Sequence, residues 1–322
     1  MRRRALLLAL ATPALAPALG GAAEGWPADR VTFITSLPAG SSVDVTTRLF
    51  ADRLAKLWGR AVVVDNRGGA NGVLACQAVA RAKPDGLTLL STSAMTHAAN
   101  PWLIDKLPYD PIADFEAVTR FGNSPFVIMA NKRLGVATLA ELIGRLKAQP
   151  GVLNFGWGAV PARVAAELFL QAAGASATQI GYRGNQAAFP DLLEGRLSFQ
   201  VIDVVGGKPL IDRGEVLALA LSADRRHPGL PAVPNAAEAG LPAFRFTTWS
   251  GVYAPRGTPA EIVARIQADF AAAFADSALA ARFAELGGAP EPPASPTDFA
   301  AFTRAELPRW GEIIHGAGMR LD

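Results

Sequence analysis

The chain has 322 residues, is 50% hydrophobic and 18% charged, and contains one cysteine, which excludes a disordered segment or a disulfide scaffold and leaves room for about two domains. Its formal charge of +3 comes from Arg2, Arg3 and Arg4, since residues 1–23 hold no acid; setting those three aside leaves 28 basic residues against 28 acidic. A balanced chain has no bulk field with which to grip nucleic acid or anionic lipid, so recognition has to be local.

The opening MRRRALLLALATPALAPALGGAA places three arginines before an apolar stretch from Ala5 to Leu19, interrupted by Pro13 and Pro17, with Gly21, Ala22 and Ala23 before Glu24. A membrane-spanning helix needs about 20 apolar residues and tolerates central prolines badly, so 1–23 reads as a signal peptide cleaved near Ala23. Sec export fits best; Arg3 and Arg4 also make a short match to a twin-arginine signal. No later segment reads as transmembrane, and the expected location is the periplasm. Cys76 has no partner for an internal disulfide, and its neighbours Leu74, Ala75, Ala78 and Val79 point to a buried thiol.

Along the remaining chain, short β-branched or apolar runs alternate with longer helical patterns. Strands are expected at 31–36, 61–66, 87–92, 126–131, 153–157, 179–182, 197–202 and 216–221, with helices at 45–58, 73–81, 139–148, 163–173 and 187–193. This alternation predicts an α/β fold with open, mostly parallel sheets. Three helix starts carry cap chemistry: Thr138 with Glu141, Thr258–Pro259 with Glu261, and Ser295–Pro296 with Asp298. Eight strands and proline-rich seams near 101–111 and 228–242 favour two lobes over one.

Four loops share one layout, in which a strand ends, a small-residue turn follows and a helix starts: LPAGSSVD (37–44), NRGGANG (66–72), GWGAVPA (156–162) and YRGNQ (182–186). At such turns the helix N-terminus offers unpaired N–H groups and a positive dipole end, which suits a carboxylate. Each also forms for turn geometry alone; four together are the stronger signal. The candidate contacts are Ala39, Gly40, Ser41, Ser42 and Asp44 in the first loop, Ala70, Asn71 and Gly72 in the second, Trp157 and Gly158 in the third, and Arg183 and Gly184 in the fourth. Ser41 and Ser42 are equally readable as N-caps. Asp44 serves the helix dipole or meets a hydroxyl or ammonium donor. Arg183 forms either a bidentate carboxylate pair or a surface ion pair. Asp203, after the strand LSFQVI, is a cleft-end acid or a turn cap. Trp157, Trp249 and Trp310 are candidate cleft walls, with core or hinge packing the expected role of two of them.

Enzyme signatures are missing: no G-x-S-x-G elbow, H-E-x-x-H, Walker A, G-x-G-x-x-G or C-x-x-C occurs, and His97, His227 and His315 are isolated. His97 follows a strand end and reads as a loop or satisfied polar residue rather than a base. No cofactor and no metal are expected.

Ordered blocks over nearly the whole chain after residue 23 carry a resemblance: WPADRVTFITSLPAGSSVDVTTRLFADRL, VVVDNRGGANG with AVARAKPDGLTLL, NPWLIDKLPYDPIADFEAV, YRGNQAAFPDLLEGRLSF, ALALSADRRHPGLPAVPNAAEAGLPAF and WSGVYAPRGTP. The chain resembles the Bug family of tripartite tricarboxylate transporter solute-binding proteins, which are TctC-like. The resemblance implies a type II periplasmic-binding-protein fold with two α/β lobes and a ligand cleft between them. Lobe 1 would span 24–124 plus 247–322 and lobe 2 125–246, with crossover strands near 123–129 and 246–254. It implies capture of a small organic acid or amino acid without catalysis, largely through loop amides and ordered water. Delivery would be to the permease subunits of a tripartite tricarboxylate transporter, by a monomer that binds no nucleic acid. Docking on a periplasmic sensor kinase is the alternative, and an exported hydrolase using a spatially assembled Ser and His a further one.

Three departures from the family pattern stand out. Gly40 is followed by Ser41 where a second glycine is usual, Ala75 stands where another glycine is common, and the loop around Trp157 is about two residues shorter. Trp157 and Arg163 occupy that neighbourhood, which implies a bulkier wall and an added cation, so Arg163 joins the candidate contacts.

Overall fold

The computed structural model describes residues 25–288 and 292–319; the signal segment 1–23 lies outside the described residues. Two sheets are joined through one long strand. The first contains β1 (Val31–Thr35), β2 (Val62–Asn66) and β3 (Thr88–Ser93) in parallel, with β9 (Thr247–Pro255) antiparallel to β3. The joining strand, β4 (Phe115–Ala130), pairs with β9 over residues 115–125, and beyond Pro125 it pairs antiparallel with β7 (Phe199–Asp203) and β8 (Leu217–Leu221). The second sheet continues in parallel through β5 (Asn154–Trp157) and β6 (Thr178–Gly181).

Helices follow the strands as the alternation requires. In the first half these are α1 (Ser42–Trp58), α2 (Val73–Ala80) and, after a π-helical turn at Met95–Ala99, α3 (Asn100–Leu103). The second half supplies α4 (Leu139–Ala148), α5 (Val160–Ala173), α6 (Phe189–Glu194) and α7 (Val204–Asp212). After β9 come α8 (Ala260–Phe274), α9 (Ser277–Glu285) and α10 (Pro296–Gly316). None of the described helices is long and apolar enough to cross a membrane.

All eight strands expected from the alternation form, β4 begins eleven residues earlier than the apolar run at 126, and β9 lies where the resemblance implied a crossover strand near 246–254. Residues 115–125 read FEAVTRFGNSP, where Glu116, Thr119, Arg120 and Asn123 dilute the apolar signal. Pairing with β9 supplies the ladder that local composition does not announce. Thr138 caps α4 by accepting from Glu141 N, and Ser295 caps α10 by accepting from Asp298 N. Thr258 does not cap α8: its hydroxyl donates to Pro255 O, and Pro259 occupies the cap position with no side-chain bond.

An aromatic group in which Phe50 packs on Phe270 (5.1 Å) and Phe121 (5.3 Å) fixes α1 and α8 against the first sheet. Burying each such ring contributes about 1.5–3 kcal/mol. The Glu306 carboxylate of α10 is buried and accepts from the Trp249 and Trp310 indoles, each at 3.0 Å, and from Arg309 at 2.7 Å, tying α10 to β9. Trp249 and Trp310 are therefore core residues, the packing role expected of two of the three tryptophans. Cys76 is a fully buried free thiol whose pKa burial pushes up to about 12, the inert state expected from its neighbours.

Candidate functional site

The loop after β1 and the loop after β2 are stitched into one unit by Asp44. Its carboxylate accepts from Gly40 N (2.9 Å), Arg48 Nε (2.9 Å) and Asn66 Nδ2 (2.8 Å), while Asn66 also donates to Thr35 Oγ1 and Leu37 O. Burial acts to raise the Asp44 pKa, but these three partners together outweigh it and hold the acid below its usual value. Asp44 is thus committed to shaping the loop and lines neither chamber of the cleft. Gly40 shares that fate, because its N–H is spent on Asp44 and its φ of +78° makes the turn. Ser41 has φ −69° and ψ 162° and accepts from Asp44 N, so the Cβ that replaces the family's glycine sits in extended backbone without strain. Ala75, the other replaced glycine, is fully buried in the core.

In the second loop, Ala70 and Asn71 adopt left-handed φ values of 44° and 51°, conformations sparsely populated by residues with a Cβ. Asn100 Nδ2 holds the turn by donating to Asn71 O at 2.9 Å. A Cβ on Gly72 would lie 2.7 Å from Thr96 Cγ2 and 2.9 Å from Ser36 Cβ, so only glycine lets this loop settle onto the π-helical turn.

The third and fourth loops are equally close. Gly158 N donates to Asn185 Oδ1 at 2.9 Å, and a Cβ on Gly158 would fall 2.0 Å from Gly184 C. The Gly158 amide is therefore consumed within the protein. Across the gap, a Cβ on Gly184 would meet Pro38 Cγ at 3.2 Å, so loops of the two halves touch. A second contact lies where α7 meets the end of α9: a Cβ on Gly287 would lie 2.9 Å from Val204 Cγ1.

These contacts divide the cleft into two chambers with Leu37, Pro38 and Gly158 in their common wall. The outer chamber, about 750 Å³, is lined by Ala39, Asn66, Gly68 through Gly72, Met95, Trp157, Tyr182 and Arg183. Arg183 is the one charged residue of its lining. Trp157 Nε1 is buried and has no hydrogen-bond partner among the described residues. The inner chamber, about 50 Å³, gathers the starts of α1, α5 and α7 and the turn before α6: Ser41 and Ser42, Ala159 and Pro161, Asp203 and Val205, and Gly184 through Gln186. Helix starts leave N–H groups such as those of Ser42 and Val204 without intrahelical acceptors. Its back wall is the crossover pair, with Asn123 and Ser124 from β4 and Thr248 and Ser250 from β9.

Of the fourteen sequence candidates, Ala39, Ala70, Asn71, Gly72, Trp157 and Arg183 line the outer chamber, Ser41, Ser42, Gly184 and Asp203 the inner one, and Gly158 both. Gly40, Asp44 and Arg163 line neither. Arg163 lies within α5 with its guanidinium 5.1 Å from the Trp157 ring centre and its charge felt by Glu167, and it is absent from the lining of both chambers. Asp203 fills both of its readings: it caps α7 by accepting from Gly206 N at 2.9 Å, and it lines the chamber. Ser42 from the opposite half lines the same chamber, and burial raises the Asp203 pKa against the lowering effect of its polar neighbours. Asn123, Ser124, Asn185, Gln186, Thr248 and Ser250 were not among the candidates. For Asn123, Ser124, Thr248 and Ser250 the signal is polar residues inside otherwise apolar strands, FGNSPF and FTTWSG, while Asn185 and Gln186 belong to the YRGNQ loop already singled out.

His97 is fully buried, stacked on Tyr253 at 3.8 Å, and lines neither chamber; desolvation lowers its pKa to about 3. His227 accepts from Gly229 N through Nδ1 and also lies outside both. Among the described residues no group of three or more His, Cys, Asp or Glu could hold a metal ion.

Comparison with known proteins gives this architecture a family. Residues 46–319 match the family model described as the tripartite tricarboxylate transporter family receptor, TctC. The chain is 33% identical over 302 residues to Protein BugT of Bordetella pertussis, covering 93% of this chain and 92% of that one. Among solved structures it is similar to the R. palustris protein Rpa4515 with adipate (TM-score 0.88, 33% identity, 92% of this chain and 100% of that one). It is also similar to MatC from Rhodopseudomonas palustris with bound malate (TM-score 0.83, 31% identity, 90% and 100%). The chain belongs to the tripartite tricarboxylate transporter receptor family, the TctC-like Bug solute-binding proteins.

Proposed function

We propose that this receptor captures a small organic carboxylate between two lobes, 24–124 with 247–322 and 125–246, and presents the closed form to a membrane transporter without performing chemistry. The observation that carries this reading is the outer chamber. Arg183 from one half faces the Ala70–Gly72 turn from the other across a gap whose remaining lining is neutral. A carboxylate there would pair with the guanidinium and accept from backbone donors and from the unsatisfied Trp157 indole. That mode needs no net positive field, in keeping with the balanced composition. Two relatives solved with adipate and malate support the ligand class.

A ligand touching loops of both halves binds the closed arrangement better than an open one and shifts the population toward it. Capture without turnover is supported by the receptor family to which the chain belongs. Export by Sec after removal of 1–23, and action as a monomer, complete the proposal. A thermal-shift screen of mono- and dicarboxylates, amino acids and aromatic acids tests it. A ligand at 100 times its Kd stabilises by about 2.7 kcal/mol, a clear rise in Tm; folded protein with a flat response to every acid would overturn the reading.

A further inference from the structure

Charge is segregated between the two chambers. The outer one holds Arg183 and no acid; the inner one holds Asp203 and no cation. Asp203 is 5% exposed, its carboxylate accepts from Gly206 N at 2.9 Å, and Ser42 of the other half lines the same chamber. An ionised carboxylate offers about four acceptor positions and donates nothing. A second observation points to an occupant. Thr248 is 8% exposed, lines the same chamber, and its Oγ1 is buried without a hydrogen-bond partner among the described residues. A buried hydroxyl left unpaired is destabilising, so the chamber is incomplete as the protein alone supplies it. At about 50 Å³ it is several times the 10–15 Å³ that one water needs, so a small group of a few atoms fits and a bulky one does not.

Resting on the carboxylate reading of the outer chamber, we infer that the inner chamber is a second subsite for the far end of the ligand, selecting a hydrogen-bond donor and rejecting a second carboxylate. A hydroxyl or ammonium at that end donates to Asp203, and a hydroxyl can also pair with Thr248. A second carboxylate meets Asp203 as a like charge in a water-poor space, where repulsion is screened least. Adipate is an acid at both ends, so this chain would differ in preference from the relative solved with it. Asp203 thereby acts as a specificity residue in addition to capping α7.

The test is isothermal titration of the full mature chain with matched three- to six-carbon acids, each length offered with a methyl, hydroxyl, ammonium or carboxylate far end. The expected result is at least tenfold tighter binding of the best hydroxy or amino acid than of the dicarboxylate of equal length. Asp203→Asn, which keeps an acceptor at the cap, should shrink that ratio by about tenfold. Thr248→Val, which keeps the shape, should weaken the hydroxy acid several-fold and leave the methyl-ended acid unchanged. The hydroxy and amino arms distinguish the two donors. Equal or tighter dicarboxylate binding by the wild type, or ratios unmoved in both variants, overturns the subsite and leaves the carboxylate reading standing. Failure of every acid in the series to bind overturns both.

Discussion

Arg183 is exposed, and its value to the protein lies in what it can pair with across the outer chamber. Arg183→Ala should weaken carboxylate binding by about 1.5–3 kcal/mol, the worth of a hydrogen bond to a charged group, with the fold intact by circular dichroism; titration calorimetry reads the change, and unaltered affinity would return the residue to an ordinary surface charge. His97 makes a separate prediction. Its folded pKa of about 3, set by burial, lies below the ordinary 6.5, so the unfolded chain binds the extra proton between those values. Stability contributed by neutral His97 is complete above pH 6.5 and declines by about 1.4 kcal/mol per pH unit as pH falls toward 3. Denaturant titrations between pH 7 and 4 should show that slope, and His97→Phe, which preserves stacking on Tyr253, should flatten it. An equal slope in both proteins would contradict the assignment.

Among elements, the tightest fit is between the third and fourth loops. Gly158→Ala places a methyl 2.0 Å from the Gly184 backbone, which the loops relieve only by separating. A loss of about 1–3 kcal/mol in stability is expected, together with loss of acid binding, since Trp157 and Arg183 flank the contact; chemical denaturation and titration on the same sample check both. Glu306→Ala should destabilise by about 2–5 kcal/mol, because two indole N–H groups lose their buried acceptor, whereas Glu306→Gln retains one acceptor and should lose less. Urea midpoints compare the pair directly.

The strand and helix alternation, the α4 and α10 caps and the four loops were legible because each depends on neighbours within a few residues. What escaped depends on distant partners. Residues 115–125 become strand through β9, some 130 residues away, and Asp44 leaves the site because Asn66 from the next loop claims its carboxylate. Arg163 reads as a cleft cation from its place beside Trp157, yet in α5 its guanidinium packs over that ring and lines neither chamber. The partition into two chambers was also illegible, since it rests on Pro38 meeting Gly184. Asp203 was readable as an acid at a strand end, but its sharing one chamber with Ser42 of the other half was not.

For the molecule as a whole, the two sheets are covalently continuous through β4, their halves share a buried core in which Phe246 packs on Trp310 at 5.4 Å, and at the cleft they meet at Gly184 against Pro38 and at Gly287 against Val204. A ligand touching both sides of the cleft adds to those contacts and tips the equilibrium toward the closed arrangement. The most direct measurement is a crystal structure of the protein purified without denaturation and soaked with the tightest acid from the screen. Density for a carboxylate group between the Arg183 guanidinium and the Ala70–Gly72 turn, with loops of both halves in contact, is the predicted result. A bound acid lying outside both chambers, or one contacting a single half of the molecule, would contradict the account.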